Sequence, residues 1–276
     1  VLESFKRLEE EGFEAIYVDV KEDGIVDMDM MRESITDDTI LIACMHVNNE
    51  TGAIQPVEEI ASIKRNAHMH VDAVQSFGKI ALPLKNVDSI AISGHKIHGP
   101  KGTGALIVAD KVNIKPFIVG GGQEKNFRSG TENIPGICGL GLAAEMVTKD
   151  LDARYEKMKA LRSRLMDGLK DLDDILINTR EDSCPAVLNI SFLGTRGEVL
   201  LHTLETSGIY VSTGSACSSH HGGGSHVLKA MGLTDRQIDG AIRFSLSAEN
   251  TPEEMDYAAE KTIEAVSSFR RLGSLR

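Results

Sequence analysis

The stretch HVDAVQSFGKIALPLKNVDSIAISGHKIHGPKGTG, residues 70–104, decides how the chain is read. It holds an acid, Asp72, an amide three residues later, Gln75, and a lysine, Lys96, in a Ser-Gly-His-Lys turn followed at once by glycines and a proline. The apolar runs HMHVDAV and DSIAISGH each predict a strand. Two consecutive strands thus deliver the acid and, at the same end, Ser93, His95 and Lys96, where open α/β sheets place their ligands. A lysine amine condenses with an aldehyde. A carboxylate can hold a pyridine nitrogen protonated and make the ring an electron sink. An amide such as Gln75 can hydrogen-bond a ring hydroxyl from the same side. These jobs fit pyridoxal phosphate. The plainer readings are that Asp72 ends a strand or caps a helix, and that Lys96 is a solvated loop lysine.

Working outward, strand-like and helix-like segments alternate, which argues for a mainly parallel sheet with crossover helices. VLESFKRLEEEG reads as a helix ended by Gly12, EAIYVDV as a strand, DMDMMRESI as a helix, TILIACMHV as a buried strand and PVEEIASIKRN as a helix with Pro56 near its first turn. GALIVAD returns as a strand after the lysine turn. IVGGGQEKNFRSGTEN is Gly-rich and irregular; its backbone N–H groups can meet an anion and Arg128 can grip a carboxylate or phosphate. Residues 134–172 read as one long helical stretch. Beyond it AVLNISF and AIRFSLS read as strands and GIYVSTGSACSS as a strand running into a loop, among helices. The closing helix carries Thr251 as cap and Glu254 in a capping box. The expected division is a large domain over 1–147 and a small α+β domain over 148–276.

Composition narrows the function. With 41% hydrophobic residues among 276, a sizeable core is available, and with no Trp and 4% aromatics it must be aliphatic. A formal net charge of -11 disfavours a nucleic-acid or anionic-membrane partner and suits a cytoplasmic enzyme. No apolar run approaches a membrane span, and no signal peptide is visible. The four cysteines are widely spaced, against a disulfide framework or a structural zinc site. Cys44, Cys138 and Cys184 read as small core residues. Cys217 differs: it lies among small and polar residues in TGSACSSHHGGGS, where a reactive thiol is expected. Cys217, His220 and His221 also form a C-x-x-H-H cluster, but adjacent histidines share a metal poorly and no fourth ligand is in view, so zinc ranks below the nucleophile.

The segments HVNNETG (46–52), HVDAVQS (70–76), SGHKIHGPKG (93–102), RSGTEN (128–133), GSACSS (214–219) and RFSLS (243–247) together resemble the cysteine desulfurases, the NifS/IscS-like branch of the class V aminotransferases. They occur in that family's order across nearly the whole chain. The resemblance implies an α/β fold of the fold-type I pyridoxal-phosphate transferases, with a mainly parallel large domain and a small α+β C-terminal domain. It implies Lys96 as the cofactor lysine. Asp72, Gln75, Ser93 and His95 would be cofactor contacts, with His95 also assisting proton movement. Asn49 would contact cofactor and substrate carboxylate, Arg243 would hold that carboxylate, and Cys217 would be the nucleophile and persulfide carrier. Thr131 would reach the cofactor phosphate of a neighbouring subunit, which implies a homodimer. The implied reaction converts L-cysteine to L-alanine and passes sulfur to an iron–sulfur scaffold or another acceptor protein. The family's phosphate-cradling loop and ring-stacking histidine would precede Val1, so the large domain is expected to be N-terminally incomplete. Rival readings are a selenocysteine lyase, a small-substrate aminotransferase, or a cofactor-free sulfur-relay or interaction protein.

Overall fold

In a computed structural model, which describes residues 1–83, 85–214 and 224–273, four strands form one sheet: β1 (Leu41–Met45), β2 (His68–Asp72), β3 (Ser89–Ser93) and β4 (Gly104–Val108), in that order. The pairs β1–β2 and β2–β3 are parallel and β4 runs antiparallel beside β3. The register sets Ala43 beside His70, His70 beside Ser89, and Asp72 beside Ala91. Side chains alternate across a strand, so Ile42, Met69, Val71 and Ile90 point to one face and are buried there. His68, His70, Asp72, Ala91 and Ser93 share the other face and are half-buried. This sheet belongs to a compact unit of residues Ile35–His46 and Val57–Leu151. Helix α3 (Val57–Ile63) buries Val57, Ile60 and Ala61, and α4 (Ile134–Lys149) buries Leu140, Ala143 and Val147 at helical spacing.

The other compact unit takes in Val1–Ser34, Val47–Pro56 and Asp152–Arg276. Its sheet is antiparallel: β5 (Ile175–Ile177), β6 (Val187–Phe192) and β7 (Ala241–Ser245). Every residue of β6 is buried. The core joins Leu188, Ile190, Phe192 and Ile242 to Leu165 and Leu169 of α5 (Leu151–Leu169), Leu200 and Leu204 of α6 (Gly197–Thr206), and Val266 of α9 (Pro252–Gly273). The α9 capping box is present: Glu254 N–H donates to Thr251 Oγ1 at 3.3 Å, and Thr251 N–H donates to Glu254 Oε2 at 3.0 Å. The remaining helices are α1 (Leu2–Glu10), α2 (Met28–Ser34), α7 (His226–Ala230) and α8 (Asp235–Asp239).

Three local expectations are corrected. EAIYVDV is not a strand: only Val20 pairs, in an isolated bridge with Val26, and Phe13, Ile16 and Tyr17 are exposed. Strand-like composition needs a neighbouring backbone to bond, and no other pairing forms there among the described residues. Likewise GIYVST pairs, among the described residues, only through Ser212 with Arg243. The stretch 134–172 is two helices, because Asp150 leaves helical geometry at φ −128°, ψ 44° between the apolar α4 and the charge-rich α5.

Candidate active site

The acid end of the site is fixed by backbone on both sides. His46 N–H donates to Asp72 C=O at 2.9 Å from the end of β1, and Ala73 N–H donates to Ala91 C=O at 2.9 Å on β3. The Asp72 side chain turns back once, its Oδ1 accepting the Val74 N–H at 3.0 Å. Gln75 follows in the turn; its Oε1 accepts Lys79 Nζ at 3.0 Å, which leaves the amide N–H₂ as donor. One strand over, Ser93 closes β3 and a single 3₁₀ turn, Gly94–Lys96, carries the lysine.

That turn is built to stay put. Gly94 N–H donates to Thr103 C=O at 2.9 Å, and Ile97 and Gly99 N–H groups both donate to Gly94 C=O, at 3.0 and 2.9 Å. A Cβ on Gly94 would lie 2.6 Å from Thr103 Oγ1, so only glycine fits. Ile97 is buried against Leu140, Ala143 and Val147 of α4. The two residues flanking the anchor, Lys96 and His98, therefore face outward, half-buried and exposed. Ser93 Oγ lies 2.8 Å from His95 Nδ1, so serine and histidine point to the same side. The Lys96 side chain makes no hydrogen bond or ion pair among the described residues.

Two groups near this end, buried His46 and half-buried Cys44, shift in predictable directions. Burial lowers the His46 imidazole to about 4, and its Nδ1 has no partner among the described residues. Burial pushes the Cys44 thiol up to about 12, which disfavours its thiolate at neutral pH. Cys138, expected in the core, is exposed on α4 instead. Thr131 is exposed on the segment before α4, beside buried Ser129, whose carbonyl accepts Arg128 Nη1 at 2.9 Å.

In the other unit, Arg243 Nη1 donates to the Asn49 carbonyl at 2.8 Å, joining residues 194 apart in sequence. Arg243 stands on β7 opposite Asn189 and is bridged to Ser212 on its other side. Burial lowers its pKa, and Glu50 opposes that shift. Asn189 Nδ2 donates to Glu50 C=O at 3.1 Å, and the Asn48 side chain accepts the Glu50 and Thr51 N–H groups, so the HVNNETG turn is bonded on both sides. Glu50 was passed over in the sequence. It is fully buried, it accepts the Ser225 hydroxyl, and its Oε1 has no partner among the described residues. An acid held inside a motif of small polar residues was the available signal. Cys217, His220 and His221 lie outside the described residues.

The residues present fit pyridoxal phosphate. The Asp72 hydrogen bond engages one carboxylate oxygen, Lys96 is uncommitted, and small side chains (Ala91 and Ser93) line the half-buried face between them.

Known proteins bear on the same geometry. The family model Aminotransferase class-V matches residues 2–258. The cysteine desulfurase IscS of Clostridium botulinum is 40% identical over 283 residues, covering 100% of this chain and 71% of that protein. The IscS of Actinobacillus succinogenes is 43% identical over 283 residues, with coverages of 100% and 69%. Among solved structures, a NifS-like protein superimposes with a TM-score of 0.90 at 42% identity over 97% of this chain and 72% of that one. DndA from Streptomyces lividans gives 0.75 at 36% identity, over 90% and 72%. The fold is thus that of the fold-type I pyridoxal-phosphate enzymes, and the chain belongs to the class V aminotransferase family, in its NifS/IscS-like cysteine desulfurase branch.

Proposed function

We propose that this protein is a pyridoxal-phosphate-dependent cysteine desulfurase that releases L-alanine and carries the sulfur as a persulfide on Cys217. The observation that supports it most is the convergence of Asp72 and the Gly94–Lys96 turn on the carboxyl ends of neighbouring parallel strands, in a chain about 40% identical to cysteine desulfurases. Pyridoxal phosphate, when bound, supplies a covalent hold on the substrate amine and a sink for charge at its Cα.

The protein's own residues do the rest. Asp72 would hold the proton on the ring nitrogen and the Gln75 amide would bond the ring hydroxyl. Ser93 and His95 would hold the phosphate, and Thr131 would do so for a neighbouring copy in a homodimer. Lys96 takes the Cα proton and later returns one. Arg243 and Asn49 fix the substrate carboxylate through a planar fork and an amide. The Cys217 thiolate attacks the substrate sulfur, so that an S–S bond forms, the C–S bond breaks, and its electron pair passes to carbon, which a proton then completes as alanine. The persulfide sulfur passes to an iron–sulfur scaffold or another acceptor protein.

The test is direct. Adding pyridoxal phosphate should produce a visible absorbance band, and borohydride trapping followed by mass spectrometry should place the label on Lys96. Lys96→Ala should abolish the band. A label on the exposed Lys101 would overturn the assignment, and a protein that takes up no cofactor would favour the relay reading.

A further inference from the structure

The mechanism above leaves three polar residues unused on the sheet face that carries Asp72. Ser89 is 4% exposed, and its Oγ lies 2.7 Å from His68 Nε2 and 2.8 Å from His70 Nδ1. His68, His70 and Asp72 alternate along β2, so they share one face. Ser89 stands beside His70 on β3. An imidazole, a hydroxyl and a second imidazole thus run along the strand toward the acid.

Hydrogen-bond arithmetic constrains this row. A serine hydroxyl has one hydrogen to give and two lone pairs. Ser89 is buried, and the two ring nitrogens are its only side-chain partners among the described residues. Leaving that hydrogen unbonded in the interior would be costly, so it is aimed at one ring nitrogen, which must be unprotonated. Both histidines therefore cannot be imidazolium with the row intact. When His68 carries the proton, its Nε2–H points at Ser89 Oγ, the hydroxyl turns to His70 Nδ1, and His70 stays neutral. The groups around His70 agree with that order: Ala43 from β1, Ser89 from β3, and His68 and Asp72 from its own strand. Burial lowers the His70 imidazole from its ordinary value; Asp72 opposes this and His68 adds to it.

We propose that His70 is a positioning residue for Asp72: held as an uncharged imidazole by the Ser89 hydroxyl, it leaves the Asp72 carboxylate to be matched by a ring-nitrogen proton instead of an imidazolium. The proposal rests on the reading of Asp72 as the cofactor's ring-nitrogen partner.

Two measurements on the full chain separate the proposal from that reading. The first follows the His70 ring nitrogens and the Asp72 carboxyl carbon by NMR, without cofactor, across the histidine titration range. In Ser89→Ala, His70 should take up its proton at higher pH than in the parent, and the Asp72 signal should shift in the same window. The second is the pyridoxal phosphate dissociation constant by absorbance at about pH 6 and about pH 8, on either side of the ordinary histidine pKa. It should rise several-fold in Ser89→Ala at the lower pH only. His70→Gln, neutral at any pH, should keep parental affinity at both. Thermal unfolding checks each variant, and His70→Gln serves if Ser89→Ala does not fold. An unchanged His70 titration in Ser89→Ala, or equal weakening of His70→Gln at both pH values, overturns the proposal. If the parent binds no pyridoxal phosphate, the cofactor reading fails while the NMR experiment still decides the histidine row.

Discussion

Asp72 and Asp88 are acids of one sheet with opposite fates, and the difference is how completely each is satisfied. Asp72, the last residue of β2, spends one oxygen on a backbone N–H. Asp88, just before β3, is buried and accepts from Lys64, from Lys111 Nζ at 2.9 Å and from the Met69 N–H at 2.8 Å. Burial pushes the Asp88 carboxyl up, but the Lys64 bond, the Met69 amide and Lys111 outweigh it and hold the acid well below the ordinary carboxylate range. Asp88 is therefore structural. Its folded-state pKa is depressed, so its stabilisation is fully present above the unfolded value of about 4 and is lost as pH falls through the folded value. Asp88→Asn should cost about 3 kcal/mol at neutral pH, because Lys64 is left largely buried and unpaired. The gap between parent and variant in denaturant unfolding should narrow below about pH 4. A pH-independent gap would mean that packing, not charge, is what Asp88 supplies.

The lysine turn owes its place to helix α4, and Gly78 is where that packing is tightest. Gly78 has φ +74°, and a Cβ there would lie 2.5 Å from Val147 Cγ2. Val147 packs with Ile97, the anchor of the turn. Gly78→Ala should combine left-handed strain with overpacking, a loss of about 1–3 kcal/mol, read as a lowered Tm; an unchanged Tm would show that α4 shifts freely. Elements of this kind explain what was legible in the sequence. The β2 and β3 patterns and the polar residues at their ends lie within one continuous stretch, so alternation and motif sufficed. The Thr251–Glu254 cap is equally local. What failed was non-local. Residues 14–20 have strand composition but little to pair with, and the break at Asp150 is a backbone event between two segments that both favour helix. The Arg243–Asn49 bond and the burial of Glu50 depend on chain contacts far apart in sequence, which no periodicity announces.

Across the whole molecule the chemistry is divided by unit. Asp72, Gln75, Ser93, His95 and Lys96 belong to the unit built on the parallel sheet, while Asn49 and Arg243 belong to the one built on β5–β7. In the proposed reaction the first group holds the cofactor and moves the Cα proton, and the second holds the substrate carboxylate. None of them can accept sulfur. Cleaving the carbon–sulfur bond needs a soft nucleophile at the substrate sulfur, and a thiolate is one where a hydroxyl is not. Cys184 is buried, and burial raises the thiol pKa of half-buried Cys44. Cys138 is exposed but sits on a helix of the parallel-sheet unit with no motif around it. In the proposed reaction that thiolate is Cys217, in the GSACSS segment. Cys217→Ser should therefore bind pyridoxal phosphate and still change the cofactor spectrum when cysteine is added, since those steps need Lys96 and Asp72. It should form no persulfide and release alanine at only a small fraction of the parental rate. Mixing the variant with cysteine, with the spectrum and alanine followed together, checks both halves. Parental alanine release without added thiol would remove Cys217 from the mechanism and favour a class V enzyme that works without a cysteine nucleophile.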